Sequence, residues 1–334
     1  MKILVVAPAW LGDMVMTHCL VQLLVARHPS VTIDLLAPPA TASLGERMPG
    51  VNATHLLQAA HGELAFAQRW RIGRHLAAEA YDQAIVLPNS FKSALVPLWA
   101  GIRKRTGWTG ESRFGLLNDR RALQPDHYPL MIERFMALGL DAGLLLDKPY
   151  PRPQLEADDA NAERLCGEFS LSRNAAVAFC PGAEFGPAKR WPAEHYAALA
   201  RALVAEGREI WLLGSMADRA VCTEIESLVP KGLINLAGRT SLLDAVDVLS
   251  LADQVVSNDS GLMHVAAALE RPLVALYGST SPDFTPPLSG AAQILRLDLD
   301  CSPCFQRQCP LGHLDCLNQL SPDRVLAALA ESGC

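Results

Sequence analysis

The chain has no apolar run near the ~18 consecutive residues that a membrane-crossing helix needs, which argues against a bilayer-spanning segment. Charge is scarce as well. Only 19% of residues are charged and the formal net charge is −6, so a general nucleic-acid binder is excluded. No G-x-G-x-x-G follows any expected strand, which removes the dinucleotide fingerprint and disfavours a nicotinamide oxidoreductase. There is no internal sequence repeat and no low-complexity tract. The start, Met1 to Pro8, resembles a signal peptide only briefly, because its apolar run is short and Asp13 follows closely. It reads as a first strand, and the protein is expected to stay in the cytoplasm, touching a membrane from the side at most.

What is present is ample apolar material. Half of the 334 residues are hydrophobic, enough for two cores at roughly 100–200 residues per domain. Strand-like and helix-like patterns alternate. Ile3–Ala7 is a short apolar strand, followed by a helical pattern through His28; Val31–Ala37 and Gln83–Leu87 are further strands. Three prolines in Pro149–Pro153 make a stiff connector, placing the domain boundary between there and Asn174. Beyond it, strands are expected at Ala176–Cys180, Glu209–Leu213, Val255–Asn258 and Leu273–Tyr277, with helices at Pro192–Glu206 and Pro322–Ala330. Repeated β-α-β with short connections predicts α/β architecture with two doubly wound parallel sheets. Facing domains of this kind create a cleft, and ligands bind at the carboxyl ends of the strands.

Charge is uneven along the chain. Residues 69–121 carry ten Lys/Arg against four acids, a local excess of six positive charges. That suggests an anionic substrate or a membrane surface, although several of these side chains would serve equally to solvate helix faces. Nine cysteines are present, and Cys301, Cys304, Cys309 and Cys316 cluster around His313. The Cys301-x2-Cys304 pair has metal-ligand spacing, but the second pair does not repeat it. A thiol-rich structural loop is the plainer reading, with a bound zinc as the alternative.

Four loops follow strands. In Ser257-Asn258-Asp259-Ser260-Gly261-Leu262-Met263-His264 a strand runs into a helix. Asp259 or Ser260 would cap it, Gly261 permits close approach, and the free amides and dipole would hold a phosphate. His264, one turn in, could donate to the same group; a capped helix with a satisfied histidine explains these residues equally well. In Gly182 to Pro192, Lys189 and Arg190 are flanked by rigid glycine and proline, and a lysine there neutralises developing phosphate charge. In Trp10-Leu11-Gly12-Asp13, Asp13 is either a helix cap or a general base. In Pro88 to Ala94, Lys92, together with Arg105 and Arg113 of the basic stretch, could grip an anionic acceptor; helix capping by Ser90 competes with that reading.

Taken together, these motifs resemble the glycosyltransferases that transfer heptose to lipopolysaccharide, over essentially the whole chain. The 182–192 and 89–97 motifs resemble the branch that adds the second inner-core heptose rather than the first. The resemblance implies a GT-B fold. It divides the chain into an acceptor-binding Rossmann-like domain (1–165), an ADP-heptose-binding one (166–320) and a terminal helix (321–334) packing back on the first. It implies inverting transfer without cofactor or metal. Asp13 would be the base, Lys189 the cation at the donor phosphates, and Asp259, Ser260, Gly261 and His264 the phosphate corner. Ser215 and Asp218 are candidates for the donor's ribose or adenine by position alone. The implied partners are ADP-heptose, a lipid-linked anionic inner-core acceptor, and the cytosolic face of the inner membrane, with no nucleic acid. The competing activities are transfer to Kdo by a first-heptose enzyme, a nucleotide-sugar epimerase, and a non-catalytic nucleotide-binding protein.

Overall fold

The structure is a computed structural model and describes residues 1–59, 62–172 and 175–332. Asn174 and Cys334 lie outside the described residues. The chain divides into two compact units, Met1–Gln154 and Leu155–Cys334.

The first unit contains β1 (Lys2–Val6), α1 (Leu11–Arg27), β2 (Thr32–Ala37), β3 (Ala53–Leu56), α2 (Phe66–Leu76), β4 (Gln83–Val86), α3 (Leu95–Trp99), β5 (Lys104–Trp108), β6 (Asp119–Arg121) and α4 (Met131–Gly139). Its sheet has the order β3-β2-β1-β4-β5-β6, and every pairing is parallel. Burial explains the composition of the central strands. Ile3, Leu4, Val5, Ala84, Ile85 and Val86 are fully covered, as expected when helices pack both faces of a parallel sheet.

The second unit contains α5 (Asp159–Phe169), β7 (Ala176–Cys180), α6 (Ala193–Ala205), β8 (Glu209–Leu212), α7 (Arg219–Leu228), β9 (Leu233–Asn235), α8 (Leu242–Leu251), β10 (Gln254–Asn258), α9 (Gly261–Ala268), β11 (Leu273–Leu276), β12 (Ala292–Leu295), α10 (Asp315–Asn318) and α11 (Pro322–Ser332). Its order is β12-β11-β10-β7-β8-β9, again parallel throughout. Counted from its own first strand, this is the same topology as the first sheet. In each the chain reverses its direction of growth between the first and fourth strands: β1/β4 and β7/β10. Ligands of such sheets bind at the carboxyl ends there.

Two boundary expectations shift. The units divide at Gln154/Leu155 rather than at 165/166. The reason is that α5 is tied to α8: Asp247 accepts from the Asp158 amide at 2.8 Å and from Asn161 Nδ2 at 2.7 Å. The terminal helix, expected against the first domain, packs on α6 and β11 of the second unit. Its Val325, Ala328 and Leu329 enter that core beside Trp191, Tyr196 and Leu320.

Candidate functional site

The switch point of the second sheet brings two loops together. β7 ends at Cys180 and the chain reaches Lys189 in a single 3-10 turn, Pro187–Lys189. β10 ends at Asn258, directly followed by Asp259. Asn258, fully buried, locks the loops to each other. Its Oδ1 accepts from the Trp191 amide at 3.2 Å and Tyr196 Oη at 3.1 Å, and its Nδ2 donates to the Pro181 carbonyl at 2.7 Å. With that frame set, Lys189 Nζ lies 2.6 Å from Asp259 Oδ2, with side chains 13% and 4% exposed. Thr280, after β11, donates to the same carboxylate oxygen at 2.5 Å. The Phe185 ring carries Lys189 Nζ at 4.9 Å and the Arg307 guanidinium at 5.5 Å.

Ser260 occupies the N-cap position of α9 with extended backbone (φ −146°, ψ 173°), but its hydroxyl makes no capping bond. It lies 3.3 Å from Ser257 Oγ instead. Capping by Ser260 is therefore not realised, and the first-turn amides have no side-chain partner at the cap. Gly261 opens the helix and is partly exposed. His264, one turn in, is 5% exposed. Burial pushes its imidazole down to about 4, Lys189 adds to that, and Asp259 opposes it. It is neutral at pH 7, able to donate or accept one hydrogen bond but not to supply charge.

Ser215 and Asp218 follow β8 and bond to each other. The Ser215 amide and hydroxyl both donate to Asp218 Oδ2, at 2.9 and 2.7 Å. This is a capping box before α7, with Asp218 packed on Gly182 of the neighbouring loop.

At the switch point of the first sheet, Asp13 sits partly exposed in the first turn of α1, just past the end of β1. Across the switch, Lys92 lies half-buried in the 3-10 turn Phe91–Ala94 after β4. Ser90 stands at that turn's N-cap without a side-chain capping bond; Glu111 Oε2 accepts from the Phe91 amide at 2.6 Å in its place. The expected acceptor role of Arg113 needs correction. Arg113 is 1% exposed. Its guanidinium is spent on the Pro88 carbonyl at 2.8 Å, Asn89 Oδ1 at 3.2 Å and the Trp108 carbonyl. It holds the 88–90 loop in place rather than facing a ligand. Arg105 is similarly committed, donating to the Leu116 and Ile102 carbonyls at 2.6 Å each.

Thr280, Phe185 and Arg307 belong to the corner and were not singled out from sequence. Thr280 is 21 positions from Asp259, and no local pattern links them. The only available signal was the polar run Gly278–Ser281 at a strand end.

Two doubly wound parallel units, one with a lysine-bearing corner at its switch point, define the GT-B class of glycosyltransferases. The chain belongs to glycosyltransferase family 9 (heptosyltransferase), whose profile matches residues 69–315. It is 47% identical to lipopolysaccharide heptosyltransferase 2 of Salmonella typhimurium over 339 aligned positions, covering 98% of this chain and 97% of that one. The solved structure of Escherichia coli ADP-heptose LPS heptosyltransferase II superposes with a TM-score of 0.91 at 46% identity, covering 99% and 98% of the two chains. Similarity to E. coli lipopolysaccharide heptosyltransferase 1 is weaker, 26% over 298 positions, covering 84% of this chain and 89% of that one.

Proposed function

We propose that this chain is an inverting glycosyltransferase that moves L-glycero-D-manno-heptose from ADP-heptose onto the first heptose of the lipopolysaccharide inner core. The observation that carries the reading is the Lys189 ammonium paired with Asp259, whose carboxylate Thr280 also holds, beside the start of α9, where Ser260 makes no capping bond. A cation and free amides in one corner suit the diphosphate of a nucleotide-sugar. The type-2 relatives, at 47% against 26% for type 1, favour the second inner-core transfer over the first.

In the reaction, Asp13 accepts the proton of the acceptor hydroxyl as its oxygen bonds to the anomeric carbon. The bond from that carbon to the diphosphate oxygen breaks, and its electron pair leaves with ADP. Lys189 and the α9 amides neutralise the charge gathering there. Asp259 is an anion and does not bind phosphate; its part is to aim Lys189. Ser260, Gly261 and neutral His264 complete the corner, while Ser215 and Asp218 stand next to it as ribose candidates. Lys92 is the acceptor-side cation.

Contact with the cytosolic face of the inner membrane is part of the same proposal. On α2, Phe66 and Trp70 are 56% and 51% exposed beside exposed Arg71 and Arg74. Aromatic and cationic side chains together suit an anionic lipid surface. Among the described residues, no helix is long and apolar enough to cross a membrane.

The deciding measurement is mass spectrometry after mixing the protein with ADP-heptose and a mono-heptosylated core acceptor. Gain of one heptose on the acceptor supports the proposal. A sugar altered with donor alone indicates an epimerase, and nucleotide binding without turnover indicates a non-catalytic binder; either outcome sinks it.

A further inference from the structure

The 301–316 segment takes no part in the reaction derived above, yet it is built tightly against the leaving-group corner. The Ser302 hydroxyl donates to the Gly278 carbonyl at 2.6 Å, the Phe305 amide to the Ser279 carbonyl at 2.7 Å, and the Ala188 amide to the Arg307 carbonyl at 3.1 Å. Gly186 is needed for that last approach. A Cβ there would stand 2.4 Å from the Arg307 carbonyl oxygen. Ala188 and Ser279 are thus neighbours both of this segment and, in sequence, of Lys189 and Thr280.

Regular structure does not hold the segment. Between β12 and α11 the only helix among the described residues is the four-residue α10. What concentrates there is sulfur. Cys301, Cys304, Cys309 and Cys316 line one cavity of about 20 Å³ together with His313, Ser279 and Ala188. That volume is close to the size of a single water-sized guest.

A further observation points to a guest at this place. Ser279 is 2% exposed and lines the cavity, and its hydroxyl has no hydrogen-bond partner among the described residues. A buried hydroxyl left unpaired is costly.

We propose that Cys301, Cys304, Cys309 and Cys316 form a tetrathiolate site for one thiophilic divalent ion of the zinc type. Four thiolates in a tetrahedron are the closed donor set of a structural zinc centre. On binding, each thiol gives up its proton to solvent and each sulfur donates a lone pair to the ion; nothing is oxidised or reduced. Among the described residues no three Cys, His, Asp or Glu side chains already stand together as a ligand set. The shell closes on binding, as the thiols rotate about the single torsion each possesses. The Ser279 hydroxyl then donates to a ligating sulfur, which resolves its missing partner. The ion is a clamp: it rigidifies the wall behind Lys189 and Thr280 without touching substrate.

The test is elemental analysis of the full chain purified under reductant and without chelator. About one zinc per chain is expected, as for a closed structural site. Titration with a mercurial reagent should release it in step with four modified thiols. Stripped protein given Co²⁺ should develop sulfur-to-cobalt charge-transfer absorption. Cys304→Ser/Cys309→Ser should lose the metal and its Co²⁺ spectrum, while Cys166→Ser retains both. Iron at the same ratio and with the same cysteine dependence would support the same site. Background metal content in natively folded protein, with no Co²⁺ charge-transfer band, overturns the proposal. Should the double variant fail to fold, the mercurial and Co²⁺ measurements on the native chain still decide. The site does not depend on the substrate assigned above, so its failure would leave heptose transfer standing.

Discussion

The two sheets share a strand order but furnish their switch points differently. In the second unit, opposite charges from β7 and β10 loops meet at 2.6 Å, next to a buried neutral histidine. In the first unit, the buried cation of the corresponding loops is turned to the main chain. Asp13 stays partly exposed, and the buried Arg113 satisfies main-chain carbonyls. Preorganisation is thus concentrated at the second switch point. In the proposed reaction the leaving diphosphate carries its charge from the start, and Lys189 is the prearranged cation to meet it. The proposed base must remain accessible to an arriving hydroxyl, and the first unit's buried arginine serves the loop scaffold.

The sharpest way to break this contrast is at the base. Asp13→Asn should lower kcat by about 10²–10⁴ while circular dichroism and thermal midpoint stay near those of the parent. Near-normal turnover in a folded variant would remove Asp13 from the mechanism. On the other side, Lys189→Ala should cost about 10²–10³ in kcat and also destabilise, because Asp259 is left buried and unpaired. Removing one partner of such a pair costs about 3–5 kcal/mol. The double change Lys189→Met/Asp259→Asn should restore much of that stability and none of the rate. If rate returns with stability, the pair is only structural.

Arg113→Leu probes the scaffold of the first unit. It leaves the Pro88 and Trp108 carbonyls without their donor, a loss of about 2–6 kcal/mol at roughly 1–3 per orphaned group. Acceptor KM should rise more than donor KM. Equal effects on both would show that the loop does not serve the acceptor.

The smallest effect expected is pH dependence through His264. Its folded value of about 4 lies below the ordinary 6.5, so the unfolded chain binds the proton more readily. The stabilisation is complete above pH 6.5, is lost as pH falls toward 4, and amounts to at most about 3 kcal/mol. Denaturant titrations at pH 7.5 and 5 should show this loss in the parent and a flatter profile in His264→Gln. An unchanged slope assigns the acid sensitivity elsewhere.

Much of the fold was legible in the sequence because buried parallel strands are continuous apolar runs. Ile3–Ala7, Ala176–Cys180 and Leu273–Tyr277 fall within a residue of β1, β7 and β11. The edges were not legible. β5 reads Lys-Arg-Thr-Gly-Trp and β6 Asp-Arg-Arg, and such strands form because a neighbour offers a ladder, not because their composition asks for one. The helix that Ser90 would cap resolves into a 3-10 turn followed by the five-residue α3. The sequence motifs likewise marked polar loops that each follow a strand, but not which of their charges the scaffold buries. Arg113 and Lys92 look alike in a list of basic residues, and burial separates them.

By itself the sequence determined the alternation of strand and helix, the two-unit organisation and the positions of the polar loops, because periodicity and apolar runs are local properties. Only the three-dimensional packing decided that Lys189 and Thr280 meet on the Asp259 carboxylate, that Arg113 belongs to the scaffold, and that four cysteines share one cavity. Each of these depends on strand order, which places loops side by side when they are tens of residues apart along the chain.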